Sequence, residues 1–352
     1  MKARQRIRYV RAEDGTRLAW AQAGTGQPLV KAANWLTHLE YDWTSPVWRH
    51  WIEFLSGQFQ LTRYDERGCG MSEWRARSLT IDEWTADLDQ VIAAAGIDAP
   101  VTLLGISQGA AACIQYAVRR PERVARMILY GGYAQGAFKR GNQSAERAYR
   151  AMVELARASW GASNPTFRQV FTSRFIPGGT AEQLQWFNEL CIKCTTGEVA
   201  GELLEARAAI DVVDLLPQVR TPTLVLHARD DQVVPFAEGQ RLAAEIAGAE
   251  FVQLDSGNHV LLEHEPAWGR FKQEVIAFAK GQTLTDVFSA LSLREREVLA
   301  LLARGFSNAR IAQELRIGEK TVRNHASNLF DKLGVRSRTE AMVYASEHGF
   351  GR

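Results

Sequence analysis

The chain has 352 residues, of which 46% are hydrophobic and 23% are charged, a composition typical of a globular protein with a sizeable core. The length favours two domains, and no apolar run approaches the roughly 20 residues that a membrane-spanning helix needs. With four cysteines and no signal-peptide pattern, we expect no disulfide scaffold and a cytoplasmic location.

Strand and helix patterns alternate along the first 280 residues. Apolar runs and turn signals predict strands over residues 7–10, 17–21, 29–33, 59–65, 101–104, 124–130, 223–226 and 250–254. The helical spacing of apolar residues predicts helices over 81–95 and 267–279. This alternation predicts an α/β fold, with a mainly parallel sheet and helices on both faces. Residues 134–216 break the rhythm with a helical pattern, which predicts a helical cap over the sheet.

A candidate nucleophile follows the strand predicted over 101–104. The residues Gly105-Ile106-Ser107-Gln108-Gly109 lie between this strand and a helix, so Ser107 would occupy a sharp turn above the sheet. The flanking glycines leave the room that such a strained turn requires. The pattern is also common by chance, so an idle serine on a glycine-rich turn is the alternative until a base and an acid are found.

Both partners occur after later strands, at the edge where open α/β sheets place their sites. The strand predicted over 223–226 leads to Asp230-Asp231, and the strand over 250–254 leads to His259. Serine, aspartate and histidine thus follow one another in the order found in α/β hydrolases. Residues 1–280 therefore resemble an α/β hydrolase with a helical cap. The likeness extends to residues 64–72, where Cys69 replaces the usual histidine.

This resemblance implies a catalytic role for three residues. The family's Asp-x-x-Val-Pro loop selects Asp231 as the acid that orients the base His259, which would take the proton of Ser107. The backbone N–H groups of Trp35 and Gln108 would form the oxyanion hole. In place of the usual His-Gly, this chain has Ala33-Asn34 before Trp35, which removes the conformational freedom of glycine there.

Aromatic residues offer a candidate ligand pocket, although the same residues could form ordinary core. We predict a pocket for a small, largely apolar ligand, lined by Asn34, Trp35, Trp43, Phe171 and Trp186. Cys191 and Cys194 form a single C-x-x-C without a second pair, which is too little for a zinc site. A redox pair and two ordinary thiols on a helix remain the alternatives, and we expect neither a metal nor a cofactor.

The C-terminal part is the basic one, with 11 Lys and Arg against 8 Asp and Glu from Thr285 onward. Ser292 and Glu295 have the spacing of a capping box at the start of a helix that Gly305 ends. A second helix is predicted after its N-cap, Ser307, and a third over 319–332. Two short helices joined by so short a turn indicate a helix-turn-helix.

The third helix has a polar side suited to double-stranded DNA. It carries Lys320, Thr321, Arg323, Asn324, His325 and Asn328. Lysine and arginine contact phosphates and guanine, and asparagine pairs with an adenine edge. The alternative is a solvated helix in a bundle without a nucleic-acid role.

Residues 291–344 closely resemble the LuxR/GerE-type DNA-binding domain. The matching residues are 293–299, 305–308, 311–312, 321–325 and 332–335, whereas Gly318 stands where the family commonly has a serine N-cap. The resemblance also implies that a final helix over 338–347 forms a homodimer that contacts two half-sites.

We thus predict a hydrolase-like domain over 1–280, a linker over 281–290 and a DNA-binding domain over 291–352. The leading hypothesis is a transcription regulator whose first domain senses a small ligand and controls DNA binding. The alternative is an active serine esterase or lactonase that carries a DNA-binding module and that could cleave its own signal.

Overall fold

A computed structural model describes residues 5–281, 291–333, 335 and 337–347. The chain divides into two compact units, one that ends at Glu263 and one that begins at His264. The linker predicted over 281–290 lies outside the described residues except for its first residue, as do Gly334 of the predicted DNA-binding domain and residues 348–352.

The first unit is built on one eight-stranded sheet, which confirms the predicted α/β class. The strands are β1 (Arg6–Arg11), β2 (Arg17–Ala23), β3 (Pro28–Lys31), β4 (Gln60–Tyr64), β5 (Val101–Ile106), β6 (Val124–Tyr130), β7 (Thr223–Ala228) and β8 (Glu250–Leu254). Their spatial order is β1-β2-β4-β3-β5-β6-β7-β8. The pairs β1–β2 and β2–β4 are antiparallel, and the others are parallel.

Helices connect these strands and cover the sheet. They are α1 (Leu39–Trp43), α2 (Arg49–Gln58), α3 (Ile81–Ala94), α4 (Gly109–Arg119), α5 (Gln143–Ser159), α6 (Thr166–Ser173), α7 (Ala181–Cys194), α8 (Gly197–Ala208) and α9 (Phe236–Glu245), with 3-10 turns at Pro121–Arg123 and Val213–Gln218. Helices α5–α8 all lie between β6 and β7, in the stretch predicted to be helical, and are here called the cap.

Strand β5 is central and every one of its residues is buried. A strand covered on both faces reads as a continuous apolar run, because neither face meets water. Helix α4 follows β5 directly and begins with Gly109 and the buried residues Ala110, Ala111 and Ala112. These small side chains allow α4 to pack closely against the sheet, which holds the turn between β5 and α4 in place.

The second unit contains five described helices: α10 (Pro266–Ala279), α11 (Leu293–Ala303), α12 (Asn308–Leu315), α13 (Glu319–Leu333) and α14 (Arg338–Glu347). We expected α10 to end the first domain, but it belongs to this unit, and Ala277 joins the apolar cluster that contains Leu291 and Tyr344. The burial of these apolar side chains together accounts for the grouping.

The predicted helix ends of the second unit are confirmed. Ser292 accepts the N–H of Glu295, and the Glu295 carboxylate accepts the N–H of Ser292, which completes the capping box. Gly305, at φ +79°, follows α11, and the next N–H bonds back to Leu301. Only glycine adopts that backbone conformation freely, so the helix ends there. Ser307 caps α12 by accepting an N–H from its first turn.

Candidate functional site

Ser107 occupies a strained turn between β5 and α4. Its φ is +55°, a left-handed conformation that is uncommon for residues other than glycine. A Cβ added to Gly105 would lie 2.7 Å from the Cα of Ala110, and one added to Gly109 would lie 3.0 Å from the Ala33 carbonyl oxygen. The chain therefore has glycine where a side chain would collide with the turn, which is the steric requirement of a nucleophile elbow.

His259 and Asp231 form a buried hydrogen-bonded pair. His259 Nδ1 donates to Asp231 Oδ2 over 2.6 Å, and the two side chains are 2% and 0% exposed. The other carboxylate oxygen, Oδ1, accepts the backbone N–H groups of Val233 and Val234 at 2.7 and 3.0 Å. These three bonds orient the imidazole, and His259 Nε2 has no partner among the described residues. A free Nε2 is the atom that a general base uses.

The surroundings of Asp231 keep it ionised. Burial alone would raise the pKa of this carboxyl group, but His259 and the backbone N–H of Val234 outweigh burial and lower the pKa below its ordinary value. An ionised carboxylate at this position would stabilise an imidazolium at His259.

Two further glycines make room for the residues of this site, and we had not assigned them a role: Gly131 lies against the His259–Asp231 pair and Gly132 against the Ser107 turn. A Cβ on Gly131 would lie 3.1 Å from His259 Cε1 and 3.5 Å from Asp231 Oδ2, and a Cβ on Gly132 would lie 3.5 Å from the Ser107 carbonyl oxygen. Both glycines directly follow β6. The double glycine at the end of a central strand was the available signal, and the absence of side chains there leaves room for Ser107, His259 and Asp231.

His227, the penultimate residue of β7, is a second buried histidine, and no local pattern in the sequence distinguishes it. Its Nε2 contacts the Val234 carbonyl oxygen at 3.2 Å and lies 3.7 Å from Asp231 Oδ2. Burial lowers the pKa of His227, which favours the neutral ring. It therefore supports the loop that carries Asp231.

A cavity lies above Ser107. Trp35, Gln108 and Phe171, three residues predicted for the site, line this cavity together with Ser107. The backbone N–H groups of Trp35 and Gln108 make no hydrogen bond within the described residues. Both N–H groups thus lack an internal acceptor, as the predicted oxyanion hole requires.

The structure does not bring the other three predicted pocket residues into this lining. Trp186 stacks on Tyr41, with ring centroids 5.0 Å apart. The Trp43 ring centroid lies 5.7 Å from Cζ of the Arg63 guanidinium. The buried side chain of Asn34 accepts a hydrogen bond from Lys31. Each of these side chains is engaged by a neighbour elsewhere in the first unit.

The cavity is small and is not lined by apolar groups alone. Its volume is about 60 Å³, against roughly 300–1,000 Å³ for sites that hold drug-sized ligands. Besides aromatic and aliphatic side chains, the lining includes Arg140, Arg174 and Arg207 together with Tyr133 and Tyr149. None of these polar residues was predicted from the sequence, because they are scattered along the cap and the segment between β6 and α5 without a recognisable motif.

In the second unit, α13 presents a polar face to solvent. Lys320, Thr321, Arg323, Asn324 and Asn328 are exposed, and His325 is half-buried. On the opposite face, Val322, Ala326, Leu329 and Leu333 are buried. Helical periodicity thus separates the predicted DNA-contacting residues from the core residues, and all six predicted contacts lie on one helix.

Cys191 and Cys194 are both buried in α7, and burial raises the pKa of each thiol. Raised thiol pKa values disfavour the reactive thiolate. No group of three or more metal-ligating side chains occurs among the residues described. No helix in the described part of the chain is long and apolar enough to cross a membrane.

Comparisons with known proteins agree with this fold. The family model described as "Serine aminopeptidase, S33" matches residues 48–267, and "Bacterial regulatory proteins, luxR family" matches residues 289–345. The putative carbamate hydrolase RutD of Rhizobium rhizogenes is 25% identical over 67% of this chain and 88% of its own length. An esterase from Rhodococcus sp., RhEst1, superposes with a TM-score of 0.66 at 25% identity, over 79% of this chain and 99% of its own.

The C-terminal unit has separate relatives. The response regulator VraR of Staphylococcus aureus is 44% identical over 18% of this chain and 30% of its own length. That match supports a LuxR-type DNA-binding domain after the hydrolase-like domain. The serine aminopeptidase S33 model matches more than half of the chain. This protein therefore belongs to that family of α/β-hydrolase folds, and it also carries a LuxR-type DNA-binding domain.

Proposed function

We propose that this chain is a transcription regulator that responds to a small ligand bound at Ser107. One observation carries the proposal: a single chain combines a buried cavity beside a strained serine with the exposed polar helix of a LuxR-type domain. A ligand controls DNA binding only if it has different affinities for two arrangements of the protein. By linkage, DNA then changes the ligand's affinity by the same factor.

On the DNA side, α13 enters the major groove. Lys320 and Arg323 contact phosphates or guanine, and Asn324 and Asn328 read adenine edges. A homodimer formed through α14 places two copies of α13 on two half-sites.

A second candidate function is catalysis by the first domain, favoured by the 2.6 Å bond between His259 and Asp231 and by the free His259 Nε2. Ser107 Oγ attacks the carbonyl carbon of an ester or lactone as its proton passes to Nε2. The N–H groups of Trp35 and Gln108 bind the resulting oxyanion. The imidazolium then returns the proton to the leaving alcohol, and water releases the acyl group by the same steps.

Regulation and catalysis are compatible within one protein. If the first domain binds a signal and also hydrolyses it at a low rate, the hydrolysis ends the response to that signal. The small cavity volume of about 60 Å³ favours short acyl groups in either role.

The regulator proposal is tested with the full-length protein and a duplex selected from a random-sequence pool. We expect the duplex affinity to change when a short ester or lactone occupies the cavity, measured by fluorescence anisotropy with the non-hydrolysing variant Ser107→Ala. If every compound that binds the cavity leaves both duplex affinity and oligomeric state unchanged, the coupling is refuted.

Catalysis is tested by labelling with a serine-directed phosphonate and by turnover of short aryl esters. Ser107→Ala should abolish both, whereas Ser173→Ala, a change outside the cavity lining, should affect neither. Labelling without turnover would leave sensing as the function of the first domain. Absence of both would refute the catalytic candidate.

A further inference from the structure

Three arginines from separate segments meet at the cavity. Arg140 precedes α5, Arg174 follows α6 and Arg207 lies in α8, yet all three line the same small space. Among the described residues that line the cavity, none is acidic and none is a lysine. A low-dielectric cavity edged by one sign of charge attracts ligands of the opposite sign.

Arg207 has unused hydrogen-bonding capacity in this cavity. The residue is 4% exposed, and its Nη2 donates to the buried carboxylate of Glu66. Its Nε and Nη1 have no partner among the described residues. The guanidinium lies 4.4 Å from the ring centroid of Trp35, which helps to hold it in place. A buried donor without a partner destabilises the folded protein, so these two groups gain most from an acceptor on a ligand.

Arg174 is not neutralised by a carboxylate. Its Nη2 donates to the Gln232 carbonyl oxygen at 2.8 Å, and its Nη1 contacts Met152 Sδ at 3.4 Å. Within the described residues, no Asp or Glu oxygen lies within 4.0 Å of this guanidinium. The cavity therefore keeps an uncompensated positive charge even after Glu66 is assigned to Arg207.

Arg140 is only partly compensated. Glu238 Oε1 lies 3.5 Å from its Nε, but the same carboxylate oxygen also lies 3.8 Å from Arg241 Nη1.

Tyr149 indicates where the charges of the three arginines act together. Burial raises the pKa of this lining tyrosine, and the charges of Arg207, Arg174 and Arg140 all oppose that rise. All three arginines therefore line the cavity together with Tyr149 and exert their charges on it.

We propose that the ligand of this cavity carries an ionised carboxylate, bound by Arg207 and Arg174, at the end of a short chain whose ester or lactone carbonyl lies at Ser107. Arginine suits this role because its planar donor fork matches a carboxylate. Phe171, Met152 and Leu204 supply apolar contacts for the chain. The inference rests on the proposed function for the position of the reacting carbonyl, and it replaces the largely apolar ligand predicted from the sequence with an anionic one.

The test compares two esters of similar length, monoethyl glutarate and ethyl pentanoate. Their binding to the full-length Ser107→Ala protein is measured by calorimetry, so that neither is hydrolysed. We expect the carboxylate ester to bind at least about tenfold more tightly, as one charge-assisted hydrogen bond suffices for that difference. Arg174→Met and Arg207→Met should each reduce this ratio. Arg147→Met, on the exposed surface of α5, is the matched control and should retain it.

Equal binding of the two esters, or a preference that both arginine variants retain, would overturn the inference. Arg207→Met leaves Glu66 buried without its partner and can unfold the domain, whereas Arg174→Met removes no ion pair and keeps the test valid.

The experiment separates this inference from the proposed function. Carboxylate-selective binding without turnover or any effect on DNA would leave the anion site intact and refute the function. Turnover of neutral esters without any preference for the carboxylate ester would support the catalytic function and refute the anion site.

Discussion

The cavity at Ser107 and the polar face of α13 are constructed in opposite ways. The predicted catalytic group combines Ser107, which lines the cavity, with Asp231 and His259 from two distant segments, and each of the three side chains is almost inaccessible to solvent. The residues of α13 come from one continuous stretch and are mostly exposed. A buried constellation depends on the positions of all its members, whereas exposed contacts act nearly independently. Single substitutions should therefore have large effects in the cavity and graded effects on α13.

The largest effect is expected from Ser107→Ala. Removal of the nucleophile should lower kcat/KM for short aryl esters by roughly five to six powers of ten if the triad acts as a unit. Affinity for a duplex in the absence of ligand should stay unchanged, since no residue of α13 is altered. Initial rates and fluorescence anisotropy measure the two quantities. Near wild-type turnover in this variant would place the chemistry elsewhere.

Asp231→Asn should follow, with a loss of about 10⁴-fold in kcat, because the amide cannot hold the required tautomer of His259. The matched control is Asp230→Asn, which alters the exposed neighbour and should retain wild-type turnover. Equal losses in the two variants would contradict the assignment of Asp231 as the acid.

The lowered pKa of Asp231 leads us to expect that the stability of the protein depends on pH. Folding lowers the pKa of Asp231 below its ordinary value of 3.8, so its ionised form favours the folded state. This contribution is fully present above pH 3.8 and is lost as the pH falls through the folded pKa. The difference in Tm between wild type and Asp231→Asn should therefore shrink on acidification below that value. A constant difference across thermal unfolding curves at several pH values would contradict the lowered pKa.

In the second unit, Leu329→Ala tests the buried face of α13. Leu329 is fully buried in its core, and truncation should lower the free energy of unfolding of this unit by about 2–5 kcal/mol. The neighbouring change Asn328→Ala, on the exposed face, should stay within about 0.5 kcal/mol. Denaturant unfolding of the full chain measures both. Similar losses in the two variants would mean that the faces are wrongly assigned.

The smallest effect is expected from Arg323→Ala, which should cost about 1–3 kcal/mol in duplex binding if the guanidinium contacts guanine. If it contacts a phosphate, the salt slope of the affinity should fall by about one unit. Arg294→Ala, an exposed arginine of α11, is the control and should change neither quantity. An unaltered affinity and slope for Arg323→Ala would exclude this residue from the interface.

Local sequence predicted the features that depend on neighbouring residues. The capping box at Ser292, the N-cap at Ser307 and the end of α11 at Gly305 each follow from backbone and side-chain chemistry within one helical turn. The elbow glycines Gly105 and Gly109 likewise follow from the steric demand of one turn.

The charge of the cavity could not be predicted in this way. Arg140, Arg174 and Arg207 lie more than 30 residues apart in the sequence and belong to no recognisable motif, so nothing local distinguishes them from the other arginines of this region. Conversely, Trp43 and Trp186 have the composition expected of a ligand pocket, but neighbouring side chains engage them outside the cavity.

The sequence alone thus determined the α/β class, the serine turn and the helix-turn-helix, because periodicity, glycine sterics and capping operate over a few residues. The tertiary structure decided which side chains share the cavity and which of them lack partners. Burial and hydrogen-bond satisfaction depend on groups that are distant in the chain and adjacent only after folding.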